Sequence, residues 1–244
     1  MALKDDLAAE VKAGFDAKWE YQTTTGVPQP TDLRLNSNHA KDLEAAAVLY
    51  ADLDGSTDMV DNRQWWFSAD IYKAYLRCAV ALIRSEEGQI TAYDGDRVMA
   101  VFVGDAKCTQ AVRAALKINY AVLEIIQPAV RAYRFGNTDY VLKHKVGVDM
   151  SQLRAARIGV KGDNDLVWIG RAANRAAKLT NIADPAPLWI TKDVYDLLHE
   201  SVKFHLGTDM WSKRLWTQMN NAEIHCSPTC TRFLHSCREK VLAE

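Results

Sequence analysis

The stretch VLYADLDGST, residues 48–57, carries the strongest prediction about the fold of this chain. It closes an apolar run of strand length, residues 45–53, and then changes abruptly to the polar group at residues 54–57. Asp, Gly, Ser and Thr in such a group favour turns and helix N-termini. The stretch therefore predicts a buried strand, closed by Asp52, that is followed at once by a helix.

A second aspartate falls at the tip of a predicted hairpin. Residues 89–93 and 98–103 have strand character and flank Asp94-Gly95, a dipeptide favoured in tight turns, and Asp96 follows. Carboxylates on neighbouring strands, such as Asp52 and Asp96, can converge on Mg²⁺ or Mn²⁺, which prefer oxygen ligands. The helix that opens after Asp52 would favour an anion such as a triphosphate. Ordinary turn and capping chemistry explains the same residues, so their spacing alone leaves both interpretations open.

Composition excludes several classes of protein. The chain has 244 residues, of which 48% are hydrophobic, and its formal net charge is −1. These values are typical of a globular protein and lack the basic excess of nucleic-acid or membrane-surface binders. No apolar run approaches the roughly 18 residues of a membrane span, the first residues lack the apolar stretch of a signal peptide, and the five cysteines cannot all pair. We expect a cytoplasmic protein that binds neither nucleic acid nor membrane.

Hydrophobic periodicity predicts the order of the elements. Helices are expected near residues 1–20, 58–66, 68–87, 105–127 and 171–182, and strands at 140–149, 154–160 and 188–190. Residues 21–42 have the composition of a loop or linker. The order strand, helix, hairpin, helix, strand predicts a mixed α/β sandwich and not a doubly wound parallel sheet.

Three blocks resemble, in order, the motifs of class III nucleotide cyclases. Residues 48–57 resemble the first metal motif, and GDRVMAVF, residues 95–102, resembles the second. WIGRAANRAAKL, residues 168–179, resembles the segment with the transition-state Asn and, four residues later, an Arg. The resemblance implies a ferredoxin-like, palm-type βαββαβ domain of α+β class, with a mixed sheet and flanking helices. It divides the chain into an N-terminal helix and linker (1–42), a catalytic domain (43–215) and a C-terminal extension (216–244).

The resemblance also implies an activity, that of a nucleotide cyclase, a phosphorus–oxygen lyase that uses two divalent metal ions, Mn²⁺ or Mg²⁺. Family members work as head-to-tail dimers, so a homodimer would have two composite sites. The implied roles are metal binding by Asp52, Asp96 and the carbonyl of Leu53, polyphosphate binding by Gly55, Ser56 and Thr57, and catalysis across the interface by Asn174 and Lys178.

Departures from the family pattern concern the base. Adenylate cyclases read adenine with a Lys and an Asp at the positions of Ala92 and Val167, whose side chains cannot hydrogen-bond a purine. Since hydrogen-bonded readout supplies large selectivity ratios, ATP is expected to be a poor substrate. Tyr50 falls on the same strand face as Asp52 and adds a phenol that could bind a smaller base; a core aromatic is the alternative.

Two basic residues also depart from the pattern. Arg97 adds a charge beside Asp96 and is counted with the substrate-binding residues, with a solvated strand arginine as the alternative. Lys178 replaces the family's Arg and lacks its planar fork, so turnover is slower or Arg175 or Lys213 assists.

These features are similar to those of the pyrimidine cyclases of bacterial Pycsar antiphage systems, whose product activates a separate effector. The resemblance favours conversion of UTP to 3′,5′-cyclic UMP. The alternatives are a cytidylate or adenylate cyclase and a catalytically inactive binding or dimerisation module. A diguanylate cyclase is disfavoured because the hairpin at residues 94–98 lacks the Gly-Gly-Asp-Glu-Phe motif. A separate zinc site in the tail would use His225, Cys226, Cys230, His235 and Cys237, although their spacing matches no strong zinc pattern and reduced cytosolic thiols are the alternative.

Overall fold

The computed structural model describes residues 3–35, 37–160 and 162–227, with the backbone alone of Asp163. The strands are β1 (Glu20–Thr23), β2 (His39–Asp54), β3 (Gln89–Asp94), β4 (Arg97–Phe102), β5 (Lys143–Val160), β6 (Asp163–Ile169), β7 (Leu188–Thr191), β8 (Phe204–His205), β9 (Thr208–Asp209), β10 (Ser212–Trp216) and β11 (Ala222–Ser227). The helices are α1 (Leu3–Asp16), α2 (Ser56–Asn62), α3 (Trp65–Ser85), α4 (Lys107–Ala121), α5 (Gln127–Arg131), α6 (Arg171–Leu179), α7 (Lys192–Asp196) and α8 (Glu200–Lys203). A π-helical turn, Val122–Ile126, joins α4 to α5.

A nine-stranded mixed sheet forms the centre of the molecule. Seven of its strands lie in the order β10-β11-β7-β5-β2-β4-β3, while β1 pairs with the start of β2 and β6 with the end of β5. The long strands β2 and β5 run antiparallel to each other, and β5 is parallel to β7. β8 and β9 form a separate two-stranded ribbon.

Alternation along β2 divides the core between the two faces of the sheet. Ala47, Leu49, Ala51 and Leu53 point to the face covered by α3 and α4, where the larger hydrophobic cluster lies. Val48 and Tyr50 point to the opposite face and pack with α6. Because the middle of β2, residues 46–51, packs on both faces, that part of its sequence is a continuous apolar run and does not alternate with polar residues.

The predicted architecture is confirmed. β2, α3, β3, β4, α4 and β5 form the expected βαββαβ unit within a mixed sheet. The hairpin is also confirmed, since β3 and β4 are joined through a turn at Gly95. Among the described residues, no helix has the length and apolar content needed to cross a membrane.

Two local predictions are wrong, and one strand of the central sheet was not predicted. The strands expected at 140–149 and 154–160 are one strand, β5, because β2 pairs along most of it and a bulge between Leu43 and Ala46 absorbs the irregularity. The stretch 21–42 is not all loop, since it includes most of β1 and the start of β2. Residues 222–227 belong to the central sheet through the pairing of β11 with β7. The division into domains at 42 and 215 stays a prediction.

Candidate active site

Asp52 and Arg97 form an ion pair where two neighbouring strands meet. Asp52 lies near the end of β2, Arg97 begins β4, and Nη2 of Arg97 donates to Oδ2 of Asp52 at 2.7 Å. Burial raises the pKa of Asp52, the Arg97 guanidinium opposes that rise, and the charges of Asp96 and Asp54 add to it. Arg97 is therefore not the solvated surface arginine of the alternative interpretation.

Asp96 lies beside this pair in the β3–β4 turn, after Gly95, whose φ of 60° suits glycine. Its Oδ2 atom is buried and accepts no hydrogen bond from any residue that the structure describes. A buried carboxylate oxygen without a donor is unfavourable in a protein interior, and a hard cation would satisfy it. Asp52 and Asp96 therefore fit a divalent cation site to which the chain gives two carboxylates and other oxygen atoms complete the coordination.

The buried residues Tyr75 and His144 support the backbone of Asp52. Tyr75 of α3 is fully buried, and its hydroxyl donates to the carbonyl oxygen of Asp52 at 3.3 Å. Burial raises the pKa of Tyr75, and the charges of Asp52 and Asp96 raise it further. The ring of His144 lies 5.9 Å from that of Tyr75, and its Nε2 bonds to Oδ1 of Asn119 at 2.9 Å. Burial lowers the pKa of His144 to about 3, so its imidazole is neutral.

The turn after β2 has the conformation that its sequence predicts. Gly55 has φ 79°, in the left-handed region that favours glycine, and precedes Ser56 and Thr57 at the start of α2. Burial raises the pKa of Tyr72 in α3, and a hydrogen bond with the Ser56 hydroxyl lowers it. A cavity of about 300 Å³ opens beside Gly55, with Lys143 in its wall.

The residues that were expected to contact the nucleotide base do not all lie together in the structure. Tyr50 faces the same side of the sheet as Asp52, and both Tyr50 and Ala92 pack in the α6-side cluster. Burial raises the pKa of Tyr50, and the nearby Arg97 opposes that rise. Val167 lies in β6, where Trp168 and not Val167 packs against this cluster.

Helix α6 presents Asn174 and Lys178 on its outer face. The helix packs on β5 and β2 through Ala172, Ala173, Ala176 and Leu179. It crosses β5 so closely at Gly147 that an added Cβ would lie 2.7 Å from Cβ of Leu179. The side chains of Asn174 and Lys178 are exposed, and within the described ranges neither side chain makes a hydrogen bond or ion pair. Within one chain, therefore, neither Asn174 nor Lys178 contacts Asp52 or Asp96.

Two lysines, Lys145 and Lys213, lie in positions that the sequence alone did not indicate. Sequence reasoning missed Lys145, which lies opposite Asp52 on β5, with Nζ 3.8 Å from Oδ2 of Asp54. The register between strands distant in sequence places it there, and no local pattern reports that register. Lys213, suggested as an assisting residue, pairs instead with Glu223 at 2.5 Å.

The tail cluster is only partly described. His225 and Cys226 lie in β11, where the His225 ring stacks on Tyr195 at 3.9 Å. Cys230, His235 and Cys237 lie outside the described residues. In the part of the chain that the structure describes, no group of three or more His, Cys, Asp or Glu side chains is arranged to hold a metal ion.

Comparison with known proteins supports the assignment. No protein-family model matches the chain. A uridylate cyclase of Burkholderia cepacia is 64% identical over 219 residues, which are 90% of this chain and 94% of that protein. One from Xanthomonas perforans is 46% identical over 227 residues, 93% and 97% of the two chains. The crystal structure of the adenylyl cyclase CyaB from P. aeruginosa shares the fold, with a TM-score of 0.62 at 17% identity over 77% of this chain and 94% of that one. The chain therefore belongs to the uridylate cyclases, within the class III fold, and is a nucleotide cyclase.

Proposed function

We propose that the chain converts UTP to 3′,5′-cyclic UMP and pyrophosphate. In this reaction the ribose 3′-oxygen forms a bond to the α-phosphorus, and the bond from that phosphorus to the pyrophosphate oxygen breaks. The relatives named uridylate cyclase, up to 64% identical, support UTP as the substrate.

One observation carries the proposal: the buried, unpartnered Oδ2 of Asp96 lies beside the Asp52 carboxylate. These carboxylates and the carbonyl of Leu53 would hold two divalent ions, Mn²⁺ or Mg²⁺. When bound, such ions lower the pKa of an attacking hydroxyl and offset charge on the α-phosphate. Tyr75 orients this end of β2 through its bond to the Asp52 carbonyl.

The chain's own groups would bind the triphosphate. Gly55, Ser56 and Thr57 offer backbone N–H groups, which favour phosphate oxygens at a helix start. Lys145 adds a positive charge close to Asp54. Arg97 holds Asp52 in place and brings a second cation to the same region.

The site would be completed by a second copy of the chain. In a head-to-tail homodimer, Asn174 and Lys178 of one copy would meet Asp52 and Asp96 of the other. Their exposure on α6 supports this arrangement, because polar groups on an outer helix face are available to a partner. There, Asn174 would orient the ribose and Lys178 would place its charge on the α-phosphate.

Selection of uracil would depend on what the pocket lacks as well as on what it contains. Ala92 and Val167 offer no side-chain hydrogen bond to a purine, and Tyr50 fills space on the Asp52 side of the sheet. A phenol of raised pKa stays protonated near neutral pH, so Tyr50 can donate to a uracil carbonyl.

We further propose a biological role on the resemblance to the Pycsar cyclases. Cyclic UMP made in the cytoplasm would be a second messenger in antiphage defence, and a separate effector protein would bind it.

The direct test is incubation of the purified chain with Mn²⁺ and each of the four ribonucleoside triphosphates, followed by mass identification of the products. Cyclic UMP as the main product is expected, and Asp96→Asn is the matched control that should give none. Cyclic AMP or cyclic CMP as the main product would contradict the base assignment. The absence of any cyclic product would favour a nucleotide-binding or dimerisation module.

A further inference from the structure

Tyr72 places a phenol near the two carboxylates of the candidate active site. It lies in α3, one turn before Tyr75, and residues at this spacing are neighbours on the surface of a helix. Tyr75 is fully buried, whereas Tyr72 is partly buried and packs against the larger hydrophobic cluster. The core therefore holds the Tyr72 ring in place on the α3 side of the sheet.

The hydroxyl of Tyr72 lies among the polar groups of the site. It makes a hydrogen bond with the hydroxyl of Ser56, the first residue of α2. Burial raises the pKa of Tyr72, the charges of Asp96 and, less strongly, Asp52 add to that rise, and the Ser56 bond opposes it. The phenol is therefore near both carboxylates, and it stays protonated at neutral pH.

The bond with Ser56 leaves the phenol proton available. Because that bond lowers the pKa of Tyr72, it favours the charged form, so Ser56 is the donor and the phenol oxygen is the acceptor. None of the residues that the structure describes accepts a hydrogen bond from the Tyr72 O–H group. A phenol has one such group to donate, and here it is free for a ligand.

The position of Tyr72 differs from that of the residues expected at the base. Tyr50 and Ala92 pack in the cluster on the α6 side of the sheet, whereas Tyr72 packs in the cluster on the α3 and α4 side. Tyr140, which lines the cavity beside Gly55, is a neighbour of Tyr72: burial raises the pKa of Tyr140, and Tyr72 raises it further. A ligand group that meets the Tyr72 hydroxyl therefore lies at the turn after β2 and not at the base.

We propose that the Tyr72 hydroxyl donates a hydrogen bond to the part of the nucleotide that leaves as pyrophosphate. Divalent cations bound by carboxylates usually share their coordination with substrate phosphates, so the phosphate chain is the group expected between Asp96 and Ser56. Phosphate oxygens are charged acceptors, and hydrogen bonds to them are stronger than those between neutral groups. This inference rests on the proposed reaction at the same site and adds a substrate-binding residue to it.

Calorimetric binding of pyrophosphate with Mg²⁺ tests this contact in the full chain without turnover. Tyr72→Phe removes the hydroxyl and keeps the ring, so we expect it to raise the pyrophosphate dissociation constant by about tenfold or more. Binding of UMP, which has no pyrophosphate group, should stay as in the wild type. Unchanged pyrophosphate binding in Tyr72→Phe, an equal loss of UMP binding, or a wild-type chain that binds no pyrophosphate would each overturn the contact.

A second phenol on the same helix gives the matched control. The hydroxyl of Tyr133 donates to Oδ2 of Asp70 in α3 at 2.8 Å. Tyr133→Phe therefore removes a hydroxyl bound to this helix, and its pyrophosphate dissociation constant should equal that of the wild type. An equal rise of the constant in both variants would overturn the contact, because the loss would then follow from a disturbed α3.

Two further measurements separate a direct contact from an indirect effect. In a Ser56→Ala background, Tyr72→Phe should still weaken pyrophosphate binding about tenfold, because the phenol contacts the ligand itself. Disappearance of the effect in that background would overturn the contact and show that the phenol acts by holding Ser56. The affinity for Mn²⁺ alone should be the same in Tyr72→Phe and wild type, and a parallel loss of that affinity would assign the effect to the cation site instead.

The two proposals can fail separately. Synthesis of cyclic UMP by a chain whose pyrophosphate binding is insensitive to Tyr72→Phe would remove the contact and leave the proposed reaction in place. Pyrophosphate binding that depends on the Tyr72 hydroxyl, in a chain that cyclises no nucleotide, would remove the proposed reaction and leave the contact.

Discussion

Replacement of Gly147 by alanine tests whether α6 shapes the catalytic site. Gly147 lies in β5 under the crossing of α6, where an added Cβ would lie 2.7 Å from Cβ of Leu179 and closer still to the carbonyl oxygen of Ala176. Carbon atoms in contact prefer separations of about 3.5–4.0 Å. The helix must therefore retreat by roughly 1 Å, since backbone cannot rotate aside as a side chain can.

The expected effect on activity is larger than that on stability. Overpacking of this kind costs about 1–3 kcal/mol, which a domain of this size can absorb. A misplacement of roughly 1 Å in catalytic groups can reduce turnover about 100-fold. Because Asn174 and Lys178 both belong to α6, we expect Gly147→Ala to lower kcat by about one to two orders of magnitude while the chain remains folded.

The assay compares kcat at saturating UTP and Mn²⁺ with the free energy of unfolding in urea. Gly26→Ala is the matched control, because an added Cβ there meets no atom within 4 Å. A Gly147→Ala protein that is destabilised as expected but turns over at the wild-type rate would refute the reasoning that α6 carries catalytic groups. Unchanged stability would refute the close approach of helix and strand.

Three further perturbations have defined outcomes. His144→Gln should reduce the loss of stability between pH 6.5 and pH 3. The native pKa of His144, about 3, lies below its ordinary value of 6.5. The free energy of unfolding of the wild type therefore falls as the pH drops through that window, by at most about 1.4 kcal/mol per pH unit. Urea unfolding at several pH values measures the slope, and equal slopes in both proteins would contradict the buried neutral imidazole. Asp96→Asn should abolish Mn²⁺ binding in calorimetry and turnover together without lowering Tm; retained binding would exclude Asp96 as a ligand. Ala92→Lys with Val167→Asp should shift preference from UTP towards ATP, and a profile that stays unchanged even after Tyr50→Ala is added would show that the base binds elsewhere.

Local patterns in the sequence were sufficient for the elements that bear the carboxylates. The apolar run ending at Asp52 and the Asp94-Gly95 turn before Asp96 each depend on neighbouring residues, so the strand and the hairpin could be predicted from short windows. Alternation likewise placed Tyr50 on the same face as Asp52, as the structure confirms.

Features that depend on pairing between distant segments could not be predicted in this way. β1 is a four-residue, exposed strand without an apolar pattern, and only its pairing with β2 makes it a strand. The position of Lys145 opposite Asp52 follows from the register of β5 on β2. The ion pair between Arg97 and Asp52 depends in the same way on how β4 aligns with β2.

The outward position of Asn174 and Lys178 has a genetic consequence. On the proposed head-to-tail arrangement, a chain with Asp52→Asn and a chain with Asn174→Ala are each inactive alone, because every site in either homodimer has a lesion. In a mixed dimer, one site collects both lesions and the other has none. Co-expression of two inactive alleles should therefore restore synthesis, with each mixed dimer working at half its capacity.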